Sequence, residues 1–264
     1  MSDNKQQQAF VYATYPDLKA KRVVITGGGS GIGGELTTAF VGQGARVYFL
    51  DIAEADSREL EARLAGSTVA PKFIKCDLTN LDMLKNTFAQ IEAEAGGVDI
   101  LLNNAANDDR HDIEAVTPEY WESRINVNLR HKFFCSQAVI PGMKQRGYGV
   151  ILNFGSISWH LPHTQLALYM TCKAAIEGMT RALARELGGD GIRAVTIVPG
   201  AVRTPRQQKL WHNPEEEARI LAGQCLPERV EMTDVAALTL FLASDNARHI
   251  SGREYFVDSG WYGA

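Results

Sequence analysis

The chain has no apolar run near the roughly 18 residues that a membrane-crossing helix requires. Its start, M-S-D-N-K-Q-Q-Q-A-F, lacks the apolar core of a secretion signal. No basic block accompanies the net charge of -4, so neither nucleic acid nor a membrane is an expected partner. Only four cysteines occur, Cys76, Cys135, Cys172 and Cys225, and none forms a C-x-x-C pair. The six histidines make no H-E-x-x-H pattern. Scattered thiols suit a reducing, cytoplasmic compartment, and no metal site is expected. No Pro/Gly/Ser-rich linker, repeat or low-complexity tract divides the 264 residues. One domain over 1–264 is therefore expected, with 1–18 as a loose N-terminal extension.

What is present is an alternation. At 45% hydrophobic and 22% charged residues the chain can bury a substantial core. Short apolar runs at 22–26, 46–50, 72–75, 98–102, 149–154, 193–198 and 254–257 read as seven strands. Most are continuously apolar, as strands covered on both faces should be. Between them lie segments of helical period such as A-I-E-G-M-T-R-A-L-A-R-E-L, and Thr117 before Pro118 marks a helix start. The expectation is α/β: a single doubly wound (Rossmann) domain, a seven-stranded parallel sheet with helices on both faces. The polar stretch 201–232, with a short helix candidate inside it, reads as a lid over a site.

The first strand runs into T-G-G-G-S-G-I-G-G, and a helix follows. Gly29, Gly31 and Gly34 fit G-x-G-x-x-G, while Gly27, Gly31 and Gly33 fit T-G-x-x-x-G-x-G. Either way, glycine lets backbone approach a pyrophosphate and turn into a helix N-terminus. Asp51 closes the second strand, where a carboxylate accepts from adenosine ribose hydroxyls and repels a 2′-phosphate. Ser30, rather than a basic residue, occupies the loop, so NAD is favoured over NADP.

Tyr169 and Lys173 stand one helical turn apart, but so do Tyr15 and Lys19, and Ser2 and Ser156 precede the two tyrosines by the same distance. Spacing alone does not choose between them. The joint pattern does. The chain resembles the short-chain dehydrogenase/reductase family over nearly its whole length. T-G-G-G-S-G-I-G, Asp77 in C-D-L, N-N-A-A at 103–106, Asn128 in N-V-N-L and P-G-A-V-R-T at 199–204 carry the resemblance. Ser156, Tyr169 and Lys173 then fall where that family's serine, tyrosine and lysine belong, and Tyr15 with Lys19 is coincidence. Ala106 departs from the family's glycine, and N-L-R-H-K departs after the asparagine, with Arg130 and His131 expected on a helix surface or interface.

The resemblance implies Asn128, Ser156, Tyr169 and Lys173 as catalytic residues. It also implies NAD contacts from Gly27, Ser30, Gly31, Ile32, Gly33 and Asp51, from Asp77, Leu78, Asn104 and Ala105, from Tyr169 and Lys173, and from Pro199, Gly200, Val202 and Thr204. Tyrosine, with an ordinary pKa of about 10, is a poor base at neutral pH. Lowering it by about three units needs roughly 4 kcal/mol, expected here from Lys173 and the nicotinamide charge. In the family picture Lys173 also holds the nicotinamide ribose, Ser156 orients the substrate hydroxyl, and Asn128 anchors a water-mediated proton path. Cys172, beside Lys173, is expected to be an inert buried thiol.

The loops N-D-D-R-H and S-W-H-L-P-H are rich in groups that bind hydroxyls. Together with R-I-N-V-N-L-R-H, N-F-G-S-I-S-W-H-L and A-G-Q-C-L-P-E-R-V they resemble the bacterial aldose dehydrogenase branch of the family. That implies hydride transfer from C1 of an aldose pyranose, D-xylose foremost, to NAD, giving the lactone. Asn107, Asp109, Ser156, Trp159 and Tyr169 are the candidate sugar contacts. Dehydrogenation of another sugar, a polyol or a hydroxy acid is the rival reading, ahead of 3-oxoacyl reduction. A non-catalytic NAD sensor should have lost Ser156, Tyr169 or Lys173, and all are intact. The family's usual homotetramer would give the terminal Trp261 and Tyr262 a subunit contact; otherwise they pack on the last strand.

Overall fold

The computed structural model of the protein describes residues 10–211 and 213–263. Seven strands form one parallel sheet: β1 Arg22–Thr26, β2 Arg46–Asp51, β3 Lys72–Lys75, β4 Ile100–Asn103, β5 Gly149–Phe154, β6 Ile192–Pro199 and β7 Glu254–Val257. Their order is β3-β2-β1-β4-β5-β6-β7. The register pairs Val24 with Tyr48 on one side and with Leu101 on the other, so β1 and β4 flank the point where the strand order reverses. Ligand crevices of open α/β sheets form at the carboxyl ends of such strands.

The helices are α1 Gly31–Gly42, α2 Glu54–Leu64, α3 Leu81–Ala95, α4 Pro118–Ile125, α5 His131–Arg146, α6 Ala167–Leu187, α7 Pro205–Leu210, α8 Pro214–Gly223 and α9 Met232–Ala243. Thr117 caps α4 as expected, accepting from the Tyr120 amide. Successive strand residues feed opposite layers. Val23, Ile25, Ile100, Leu102, Val150 and Leu152 join one core with Leu36 and Phe40 of α1 and Leu240 of α9. Val24, Leu101 and Ile151 join the other with Phe88 of α3, Val139 of α5 and Leu183 of α6. Both faces are covered, which is why these strands carry no polar alternation.

Two expectations change. Residues 1–9 of the anticipated loose extension, Ser2 among them, lie outside the described residues, but 10–18 are attached to the body. The Tyr12 hydroxyl donates to Glu35, the Tyr15 amide donates to Gln43 Oε1 at 2.8 Å, and Leu18 is fully buried. Tyr12, Tyr15 and Leu18 supply these attachments. Tyr15 is extended and neither it nor Lys19 is helical, with ψ of 94° and 132°, so they do not share an α-helical turn. The 201–232 stretch contains two helices, α7 and α8, rather than one, each started by an N-cap and a proline, Thr204–Pro205 and Asn213–Pro214.

Candidate active site

A cavity of about 900 Å³ opens at the carboxyl ends of β1, β4, β5 and β6. Its floor is the glycine loop, where φ is +63° at Gly27 and +55° at Gly31, a region that disfavours any side chain. A Cβ on Gly33 would lie 1.7 Å from the Gly27 carbonyl oxygen, whereas one on Gly34 would meet nothing nearer than 3.5 Å. A Cβ on Gly29 would also be confined, 2.1 Å from Ser57 Oγ, but one on Gly34 would not. The Gly27, Gly31, Gly33 spacing therefore fits the restrictions and the alternative ending at Gly34 does not. Ser30 precedes α1 without capping it through its side chain, and nothing lies within 4 Å of a Cβ built on Gly31. The first-turn amides of α1 are thus free to meet an anionic group. Asp51 accepts from the Gly29 and Ala53 amides, both at 2.9 Å, so the carboxylate is fixed beside the loop and still lines the cavity. These features fit a nicotinamide dinucleotide.

The remaining cofactor candidates gather around that floor. Ile32, Asp77, Leu78, Asn104 and Ala105 line one end. Asn104 Nδ2 donates to the carbonyls of Thr26 and Gly27 at 3.1 and 3.0 Å, and the Ala105 amide donates to Thr26 Oγ1. The end of β4 is thereby stitched to the loop after β1. Pro199, Gly200, Val202 and Thr204 line the opposite end.

Ser156, Tyr169 and Lys173 line the same cavity, from the loop after β5 and the first turns of α6. Lys173 Nζ lies 5.2 Å from the Tyr169 ring centroid and donates to the Phe154 carbonyl at 2.9 Å. Burial lowers the Lys173 ammonium to about 8, and the charges of Cys172 and Asp108 act in the opposite direction. The expectation for Tyr169 is reversed in the protein alone. Burial and then the Asp108 charge push its phenol above the ordinary value, with the Ser156 hydroxyl acting the other way. Desolvation of the phenolate is the largest cause. Cys172 is buried and its thiol is raised to about 11 by desolvation, so it is held as the inert thiol.

Asn128 is buried on a π-helical turn, Asn126–Arg130, between α4 and α5. Its Oδ1 accepts from the Asn107 amide at 2.8 Å, and its Nδ2 donates to the carbonyls of Asn107 and Arg124 at 3.0 and 3.1 Å. The side chain is spent on holding the loop after β4. His131, expected on a helix surface or interface, is fully buried and lines the cavity. Burial, followed by the neighbouring Lys132, holds its ring below the usual histidine range. Arg130 donates to the Thr79 carbonyl rather than facing solvent freely. Their departure from the family pattern was the available signal.

The substrate candidates divide. Asn107 lines the cavity, but Asp109 and Trp159 are not in its wall. Asp109 is paired with Arg124 at 3.1 Å and Arg206 at 2.9 Å. The Trp159 indole donates to the buried Glu177 carboxylate at 2.8 Å and its ring stacks on His160. Glu177 follows Lys173 by one turn of α6, so Trp159 braces α6 instead of lining the cavity. The wall also contains Asp108, Arg110 and His163, expected only as members of hydroxyl-binding loops, and Trp261, expected on the last strand or in a subunit contact. Trp211 and Arg219, which the sequence did not single out, line it too. Of the terminal aromatics, Trp261 lies against Arg219 and Tyr262 stacks on Phe256 of β7.

A family model described as enoyl-(acyl carrier protein) reductase matches residues 27–262. The chain is 61% identical over 249 residues to a D-xylose 1-dehydrogenase of Caulobacter vibrioides, covering 94% of this chain and 98% of that one. It is 31% identical to a D-beta-hydroxybutyrate dehydrogenase of Cupriavidus necator, over 92% of this chain and 98% of that one. Among solved structures, a short chain dehydrogenase/reductase family protein superposes with a TM-score of 0.84 at 29% identity, covering 94% of this chain and all of that one. With one glycine-rich loop and one serine, tyrosine and lysine converging on a single crevice, the chain belongs to the short-chain dehydrogenase/reductase family.

Proposed function

We propose that the protein is an NAD-dependent dehydrogenase that oxidises C1 of an aldose pyranose, D-xylose first, to the lactone. The observation that carries the sugar reading is the 61% identity, over almost the whole of both chains, with a D-xylose 1-dehydrogenase. The polar wall around Asn107, Asp108 and Arg110 supports a hydroxylated rather than an apolar substrate.

In this reading the cofactor, when bound, accepts the hydride. Ser156 holds the C1 hydroxyl through its own hydroxyl, and Tyr169 takes the hydroxyl proton as the C–H electron pair leaves C1, so that C1–O becomes a carbonyl. Lys173, anchored on the Phe154 carbonyl, favours phenolate and would donate to a ribose hydroxyl of the bound cofactor. Asn128 keeps the loop after β4 in place around these groups. Gly27, Gly31 and Gly33 leave backbone amides facing the pyrophosphate. Asp51 takes the adenosine ribose and excludes a 2′-phosphate by charge. α7 and α8 form the lid.

The purified protein with NAD or NADP is tested against D-xylose, L-arabinose, D-glucose, D-galactose, L-fucose and a non-sugar hydroxy acid, following nicotinamide reduction by absorbance. The expected result is NAD-dependent turnover on one or two sugars that Tyr169→Phe abolishes. Turnover on the hydroxy acid alone would refute the sugar reading. The same reading takes the protein as a cytoplasmic homotetramer. Exposed Trp121 on α4 and Phe133 on α5, together with the open edge of β7, supply apolar and hydrogen-bonding surface for such contacts. Light scattering after size-exclusion chromatography tests the assembly, and a monomeric mass would refute it.

A further inference from the structure

Asp108 sits where the lid meets the catalytic tyrosine. It follows Asn107, whose amide and carbonyl are both held by Asn128, so the backbone leading into Asp108 is fixed. Its carboxylate lines the same cavity as Ser156, Tyr169 and Lys173. One oxygen accepts from Arg206 Nε at 3.2 Å and the other from Gln207 Nε2 at 2.8 Å, both on α7. The next two residues strengthen the junction: Asp109 also pairs with Arg206, and the Arg110 guanidinium lies 4.1 Å from the Trp211 ring centroid. Trp211 Nε1 is buried without a hydrogen-bond partner in the protein. The Asp108 charge raises both the Tyr169 phenol and the Lys173 ammonium, which places it close to the reacting groups.

An ionised carboxylate has about four acceptor sites. Two are taken by the lid, so about two remain for a ligand. An apolar substrate would leave them unmet in a desolvated crevice, and a carboxylate substrate would meet a like charge. A hydroxyl donor satisfies them. The C1 hydroxyl is assigned to Ser156 and Tyr169, so the donor nearest Asp108 is the hydroxyl on the adjoining carbon.

We propose that Asp108 is the specificity-determining residue of the site, accepting from the sugar hydroxyl next to the reacting carbon while Arg206 and Gln207 hold the lid over it. This rests on the aldose reading above. It differs from the Asp109 and Trp159 candidates, whose side chains are not in the cavity wall. It also makes lid closure and sugar recognition one event, because a single carboxylate serves both.

The test compares D-xylose with 2-deoxy-D-xylose in the wild type, Asp108→Ala, Asp108→Asn and Arg206→Ala. Loss of a charge-assisted hydrogen bond should lower kcat/KM for D-xylose about 10- to 100-fold in Asp108→Ala. The 2-deoxy sugar, which never made that bond, should lose only what loosening the lid costs, the loss also seen in Arg206→Ala, so the preference for the 2-hydroxyl collapses. Arg206→Ala, which loosens the lid but keeps the carboxylate, should preserve that preference. In Asp108→Asn the acid limb of kcat/KM should move to lower pH, since a negative charge beside the Tyr169 phenol is gone. Equal losses on both sugars in Asp108→Ala would overturn the assignment, as would an unmoved pH profile in Asp108→Asn. Absence of wild-type turnover on every aldose would overturn the sugar reading itself, and the two failures are told apart by the wild-type measurement.

Discussion

Replacing Lys173 by methionine tests the electrostatics of the site without any ligand. The ammonium is completely enclosed, and burial brings its pKa from the ordinary 10.5 to about 8. Unfolding restores the ordinary value. Between these two pKa values the unfolded chain therefore binds a proton that the folded chain has released, and folding stability rises with pH. Below pH 8 both states are protonated and the full burial penalty, about 3 kcal/mol, is in force. Integrating from pH 7 to pH 9.5 recovers about 2 kcal/mol of it. Methionine has similar length and no proton, so Lys173→Met carries none of this dependence. The assay is urea unfolding or Tm of both proteins across that range. The gap, mutant minus wild type, should narrow by about 2 kcal/mol, or about 4–8 °C in a chain of this size. Titrations elsewhere are common to both proteins and cancel. A gap that stays constant within about 0.5 kcal/mol would refute the buried, proton-releasing lysine.

Gly33→Ala should weaken NAD binding at least tenfold, because its methyl would lie 1.7 Å from the Gly27 carbonyl oxygen. Gly34→Ala should keep binding and add about 0.5–1 kcal/mol to α1, and fluorescence titration with Tm separates the two. Asn153→Ala removes its bonds to Asn103 and Thr180, both 2.9 Å, and should cost about 2–3 kcal/mol. That is a Tm lower by about 4–10 °C, and a change under about 2 °C would refute a structural role for this β4–β5–α6 tie. Asp51→Ser should narrow the preference for NAD over NADP, measured as the ratio of kcat/KM values, by relieving repulsion of the 2′-phosphate.

The sheet was readable because doubly covered strands have to be apolar throughout. V-V-I in β1 supplies Val24 to one core and Val23 and Ile25 to the other, and an apolar run of that length has no other stable use between helical periods. The cofactor half of the site was readable for a related reason. Its demands are local: Gly27, Gly31 and Gly33 meet backbone restrictions within seven consecutive residues, and Tyr169 and Lys173 share one helical turn. The N-terminal segment was misread because Tyr12, Tyr15 and Leu18 have no periodic pattern, and their partners Glu35 and Gln43 lie on and just past α1.

The substrate half obeys different physics. Asp108 meets Arg206 across 98 positions and Gln207 across 99, so nothing in the local pattern specifies the pair. A D-D-R-H run states that carboxylates are available, but not which one is left to a ligand. Competition decides that. Arg124 reaches Asp109 from α4 and engages the carboxylate that also meets Arg206. Buried Glu177 takes the indole of Trp159 and removes the one aromatic that the sequence offered beside Ser156. The carboxylate of that run that stays in the wall is Asp108, joined there by Trp211, just past α7, and by Trp261 near the C-terminus. On the proposed reading, substrate choice follows from which polar groups the rest of the fold leaves in the cavity wall, and exchanging the neighbours of Asp109 or Trp159 should alter it as surely as exchanging the wall.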